Sequence, residues 1–249
     1  LKVLISVLFF ALANISFAED MRYYDIEVVI IENLNPAARK SENWPLHLHL
    51  AQPEKIVPLG EPVPKLKDWL PKDVDLKISY KSLDSSTYQL TEHVKKLSES
   101  ESKRVIFHTA WRQPGLDKHQ ALPVYFKREI PVVPDVENNS ATETQPAVST
   151  SSELEGILRV TLARYLHLEA ELSLRDKLPE TTSDNPFEVL DRDTPENKME
   201  KQGIIHLKQQ RRRIRSTELH YLDHPVLGVL LLITPHELSE DATTVPKAR

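Results

Sequence analysis

The stretch "LEGILRVTLARYLHLEAELSL", residues 154–174, decides how this chain is read. Its even positions run Leu154, Gly156, Leu158, Val160, Leu162, Arg164, Leu166, Leu168, Ala170, Leu172 and Leu174. The odd positions carry Glu155, Arg159, Thr161, Tyr165, His167, Glu169, Glu171 and Ser173. A period of two puts alternate side chains on opposite faces of a strand, with one face in a core. As one straight strand it would reach roughly 70 Å at about 3.3 Å per residue, too long for a domain of this size. The pattern therefore predicts a sharply bent strand, with a bulge near Arg164. A hairpin is the weaker reading, because no Gly, Asn or Pro marks a turn.

Other strands follow outward from this one. "MRYYDIEVVIIE" (21–32) alternates Tyr24, Ile26, Val28 and Ile30 against polar neighbours and reads as a strand with one well-buried face. "KRVIFHTAWRQP" (103–114) alternates again, and "LPVYFKRE" (122–129) reads as its hairpin or near-neighbour partner. "GIIHLKQQRRRIRS" (203–216) is a strand, and "LGVLLLITP" (227–235) is a fully buried last one. One helix is expected at about 86–100, with Leu83, Thr87, Leu90, Val94 and Leu97 at helical spacing and Ser86 with Gln89 as a capping box. The expected fold is α+β: a mainly antiparallel sheet, one principal helix packed on it, and long polar loops.

Composition sets the class. The chain has 249 residues, 40% hydrophobic and 28% charged, with a net charge of −5, so no global basic field points to nucleic acid. "LKVLISVLFFALANISFA" (1–18) has the layout of a cleaved signal peptide, with Ser16 and Ala18 as the small residues of the cleavage site. There is no cysteine, so neither disulfides nor a lipid-bearing cysteine enter the reading, and a soluble periplasmic protein is expected. A single domain over 19–235 carries a Ser/Thr/acid-rich insertion at 130–153 and an acidic one at 176–202, before a polar tail at 236–249.

Catalytic signatures fail in turn. There is no G-x-S-x-G, thiol chemistry is impossible, and five glycines leave little for a phosphate loop. His47 and His49 are one residue apart, and His220 and His224 four apart, without a third ligand at metal spacing. No cofactor, no metal and no catalytic residue is expected.

What stands out is "QQRRRIRSTELHYLDHP" (209–225), basic inside an acidic chain. Alternation would set Arg211, Arg213 and Arg215 along one side of a strand, roughly 7 Å apart, able to grip a row of carboxylates. The alternative is a scaffold strand whose arginines pair with loop acids or with Glu169 and Glu171. Glu218, His220, Tyr221, Asp223 and His224 read as a polar network serving either the loop or a ligand. Arg112 and the Trp111 ring complete the candidate ligand surface, the indole to stack on a sugar; a core place for Trp111 is the competing reading.

Five blocks, "RYYDIEVVIIE", "ENWP", "HTAWRQP", "LEGILRVTLARYLHLEAEL" and "LKQQRRRIRSTELHYLDHPVLGVLLLITP", resemble the CsiV family of periplasmic peptidoglycan-binding proteins in order and spacing. The resemblance implies a non-catalytic cell-wall protein that binds peptidoglycan. It also implies support of a class A penicillin-binding protein together with that synthase's outer-membrane lipoprotein activator. The second hypothesis is an adaptor that touches the synthase or its activator and never the glycan. The resemblance carries over no ligand residues, and no membrane span is expected after signal cleavage.

Overall fold

The computed structural model describes residues 21–42, 44–45, 48, 50, 52–132, 149–177 and 202–237. The signal segment, His47 and His49, most of both insertions and nearly all of the tail lie outside the described residues. Strand extends into the edges of the first insertion, at Ile130–Val132 and from Ser149 onward, where a loop is expected from composition.

Among the described residues ten strands form two five-stranded sheets. The first contains β1 (Tyr23–Asn33), β3 (Lys81–Ser82), β4 (Lys103–Pro114), β9 (Leu219–Asp223) and β10 (Leu227–His236), in the order β3-β4-β1-β10-β9. The second contains β2 (Val57–Pro58), β5 (Val124–Val132), β6 (Ser149–Leu162), β7 (Leu166–Lys177) and β8 (Gln202–Ile214), in the order β2-β5-β6-β7-β8. Every pairing is antiparallel except the short β2–β5 contact. Among the described residues three short α-helices accompany them: α1 (Pro36–Arg39), α2 (Leu66–Trp69) and α3 (Thr91–Ser98).

The stretch 154–174 is a hairpin, not one bent strand. β6 and β7 pair from Leu154↔Leu174 up to Leu162↔Leu166, leaving Ala163, Arg164 and Tyr165 as the turn. The Ala163 amide donates to the Tyr165 carbonyl at 3.0 Å. None of the three has positive φ, so the turn needs no glycine. Because the turn is three residues long, the even-numbered leucines stay on the same face on both arms.

The second correction concerns β4 and β5. They lie in different sheets and face each other, with the Phe107 and Phe126 rings stacked 4.8 Å apart at 12°. Two sheets therefore replace the single one expected, and one core lies between them. Ile26, Val28, Trp111 and Val229 come from the first, and Phe126, Leu158, Leu168 and Leu207 from the second. Within the second sheet Gly156 leaves room for its cross-strand neighbours, since a Cβ there would sit 2.4 Å from the Phe126 ring.

β1 is buried on both faces. Its outer side, Val29 and Ile31, meets Leu90, Val94 and Leu97 of the α3 region. This helix is eight residues long, shorter than the expected 86–100, and the Ser86–Gln89 capping box does not form. Asp84 instead caps a separate 3-10 turn at Ser85–Thr87. The α3 N-terminus is satisfied from the sheet: the Glu27 carboxylate accepts from the Gln89 and Leu90 amides at 2.7 and 2.9 Å. A carboxylate placed at the positive end of a helix satisfies donors that have no partner within the helix.

A charged cluster ties the two sheets at one end. Glu32 of β1 and Glu153 of β6 are both buried. Arg104 bridges them at 2.6 and 2.7 Å, Arg39 also pairs with Glu32, and Arg128 pairs with Glu153.

Candidate functional site

The arginine strand does not present its expected row. β8 pairs Ala170↔Gln209 and Leu168↔Arg211, then jumps to Leu166↔Ile214. Two residues, Arg212 and Arg213, are thus accommodated opposite one, and Arg213 takes φ 62. This bulge breaks the row after Arg211, and the three arginines have different tasks. Arg211 faces inward at the sandwich edge and donates to the Tyr221 carbonyl of β9 at 3.0 Å. Gln209 does the same to the Asp223 carbonyl at 2.6 Å. Together they lace β8 to β9 and close that side of the sandwich. Arg215, beyond the strand, meets Glu218 at 3.3 Å in solvent.

Arg213 turns toward the β6–β7 turn. Its guanidinium lies 5.8 Å from the centroid of the Tyr165 ring, and that of Arg164 lies 5.7 Å from the same centroid. Tyr165 is 40% exposed, one of the few large side chains with an apolar body left open. Neither Arg164 nor Arg213 makes an ion pair with a carboxylate among the described residues. Of the acids a scaffold reading would give the arginines, Glu169 and Glu171 are taken by others, Glu169 by Lys118 and Arg159 and Glu171 by Lys208 and His206, while most of the loop acids lie outside the described residues.

The remaining candidates separate. Trp111 is fully buried, and its Nε1–H donates to Gln113 at 2.9 Å, so no ring face is open to a sugar. Gln113 passes the bond on to the Val160 carbonyl across the core at 3.0 Å, which makes the indole a link between the sheets. Arg112 is held bidentately by Asp25 at 2.6 and 2.9 Å, which leaves its fork engaged.

The expected polar network is a set of local bonds. The His220 ring meets the Arg215 carbonyl at 3.0 Å, and Tyr221 packs over Gly228. His224 Nδ1 accepts from the Val226 and Leu227 amides at 3.3 and 3.1 Å, shaping the β9–β10 turn. The His224 ring lies 5.7 Å from that of Trp44, and burial lowers its pKa. Among the described residues no group of three His, Asp or Glu side chains could hold a metal.

Sequence reasoning missed two features. Tyr165 reads as an ordinary outward residue of a strand until the hairpin makes it a turn tip. A cleft of about 440 Å³ opens between the β4 and β5 edges, on the side opposite Arg211, and is lined by Leu59, Ser82, His108, Thr109, Tyr125 and Lys127 among others. Its walls come from four strands distant in the chain, so no local motif marks it.

An exposed aromatic ring flanked by cations defines a surface suited to sugars that carry anionic groups. The CsiV family model, described as that of a peptidoglycan-binding protein, matches residues 1–236, and the chain belongs to this family. No curated protein and no solved structure matches it. Among the described residues no helix is long and apolar enough to cross a membrane.

Proposed function

We propose that the protein is a non-catalytic, periplasmic peptidoglycan-binding accessory factor, and that it meets the wall at the tip formed by Arg164, Tyr165 and Arg213. The observation that carries this reading is the exposed Tyr165 ring with two guanidiniums close to it that have no carboxylate partner among the described residues. Peptidoglycan joins sugar rings to peptide stems bearing carboxylates. The phenol face suits the first, and paired guanidiniums suit the second through charge-assisted hydrogen bonds. Arg215, on the same tip and only loosely held by Glu218, extends the positive surface. Family membership and the signal-like segment at 1–18 support the compartment. Support of a class A penicillin-binding protein and its lipoprotein activator is the physiological role this binding would serve.

Co-sedimentation with purified sacculi tests the site. Wild type should pellet, while Arg164→Ala/Arg213→Ala and Tyr165→Ala variants, folded by circular dichroism, should remain largely in solution. Equal pelleting of all three moves the glycan site elsewhere. If wild type itself fails to pellet, the adaptor reading takes over: a protein that touches the synthase or its activator without binding the glycan.

A further inference from the structure

The two sides of the sandwich are finished differently. On one, Gln209 and Arg211 cross from β8 to the carbonyls of β9. On the other, the first sheet ends in β3, which pairs with β4 only at Lys81↔Arg112 and Ser82↔Trp111. Leu83 adds one bond to the Ala110 carbonyl, and the chain then leaves through Asp84 into the 3-10 turn. Antiparallel ladders alternate, so the residue two before Ala110 on β4 also faces away from β1. That residue is His108, whose backbone N–H and C=O point into the cleft where β3 has already stopped. Two residues further, the Ile106 carbonyl is occupied by Arg128.

Exposed strand edges are normally blunted, because they template pairing with another chain. The β5 wall of the cleft is blunted in this way: it carries Lys127, ion-paired to Glu129, and Pro131, which has no N–H to offer. The β4 wall has no proline before Pro114. The floor between the walls is the stacked Phe107–Phe126 pair, of which Phe107 is only partly buried. One acid, Glu61, and one base, Lys127, line the cleft, so its charge is close to balanced.

We propose that this cleft docks an extended segment of another polypeptide, which adds as a strand along β4 in line with β3. Its ladder bonds form with His108, and every second side chain rests on the phenylalanine floor. An open donor–acceptor pair above an apolar floor selects main chain plus alternating apolar side chains. The balanced rim favours a segment with little net charge. This surface is separate from the Tyr165 tip, so it would serve a protein partner while the tip holds the wall.

Panning a random-peptide phage library on the purified protein tests the proposal. The expected winners carry apolar residues at alternate positions and no proline at their centre. A synthetic winner should bind at least about tenfold more weakly to a Ser82→Trp variant, which fills the cleft from an exposed strand position and is checked by its melting temperature. N-methylation of one central amide of the peptide should weaken binding to unaltered protein similarly. At saturating peptide the His108 amide should exchange with solvent at least about tenfold more slowly. The proposal is overturned by an absence of winners, by binding indifferent to Ser82→Trp and to N-methylation, or by unchanged His108 exchange. Displacement of the peptide by soluble muropeptides would also overturn it and assign the cleft to the wall polymer. Sacculus binding by Ser82→Trp should equal that of wild type, which keeps the two surfaces distinguishable.

Discussion

Replacing Glu27 by alanine should cost more stability than any other single truncation of a polar side chain on β1. The carboxylate is 5% exposed and accepts three contacts, from the Gln89 amide, the Leu90 amide and the His108 ring, at 2.7, 2.9 and 2.7 Å. A hydrogen bond to a charged group contributes about 1.5–3 kcal/mol, and a buried donor left unpaired costs about 1–3 kcal/mol. The two helix amides alone therefore set an expected loss of about 3–5 kcal/mol, because water has poor access beneath α3. Glu27→Gln keeps one acceptor oxygen but turns an NH2 group toward the remaining donor, and should fall near the middle of that loss. Urea unfolding at constant protein concentration measures the change, and native-state exchange of the Leu90 amide localises it. Exchange at Leu90 should accelerate in step with the global loss or beyond it, because α3 loses its attachment first. A loss under about 1 kcal/mol, or Leu90 exchange that does not change, would refute the claim that the sheet caps this helix.

Three further outcomes follow from specific contacts. Gly156→Ala sets a Cβ 2.4 Å from the Phe126 ring and 2.6 Å from Leu172, so it should destabilise by about 1–3 kcal/mol or more; an unchanged calorimetric melting temperature would contradict the tight packing of these two cross-strand side chains over Gly156. His224 has its pKa lowered by burial, so the unfolded chain binds its proton more readily and stability should fall as pH drops below about 6.5 toward the lower folded value. His236, lowered by burial and then by Arg112, acts in the same direction. His224→Asn, with an amide oxygen in place of Nδ1, should flatten part of that pH dependence in melts between pH 5 and 7.5, and an unaltered profile would remove His224 from the account. Arg213→Gly should raise stability by up to about 1 kcal/mol, since φ 62 suits glycine, while weakening retention on sacculi; a variant that is less stable, or that binds the wall as wild type does, would refute the assignment.

The strands were legible because their two-residue period is a local property. Alternation located β1 and β4 to within a few residues and the stretch that holds β6 and β7, though as one bent strand, and a continuous apolar run located β10. Which strand lies beside which was not: of the two readings for β5, hairpin or near-neighbour partner of β4, the hairpin failed for that reason. Pairing depends on what faces what across the core, and Phe107 meets Phe126 through sheet packing rather than a shared ladder. The helix was overextended because the capping signal of Ser86 and Gln89 is local. The group that does cap α3 is Glu27, more than sixty residues earlier in the chain.

The candidate site divides along the same line. The family blocks are a property of residue order, and their resemblance pointed to wall binding without coordinates, while the basic character of residues 211–215 left a ligand surface and a scaffold strand both open. The regular ladder set Arg211 toward the β9 edge, and a bulge just after it separated Arg213, which lies by Tyr165, from that row and left Arg215 in solvent. Trp111 was assigned by depth, since its indole is fully buried between the two sheets. By itself the sequence determined that this is a strand-built protein with a polar, arginine-rich segment before its last strand, because periodicity and charge are written residue by residue. Only tertiary structure decided that Tyr165 stands at a tip between two cations and that a cleft opens beside His108. Both are made by residues far apart in the chain, and bulges, turns and sheet stacking bring such residues together through interactions that no local pattern encodes.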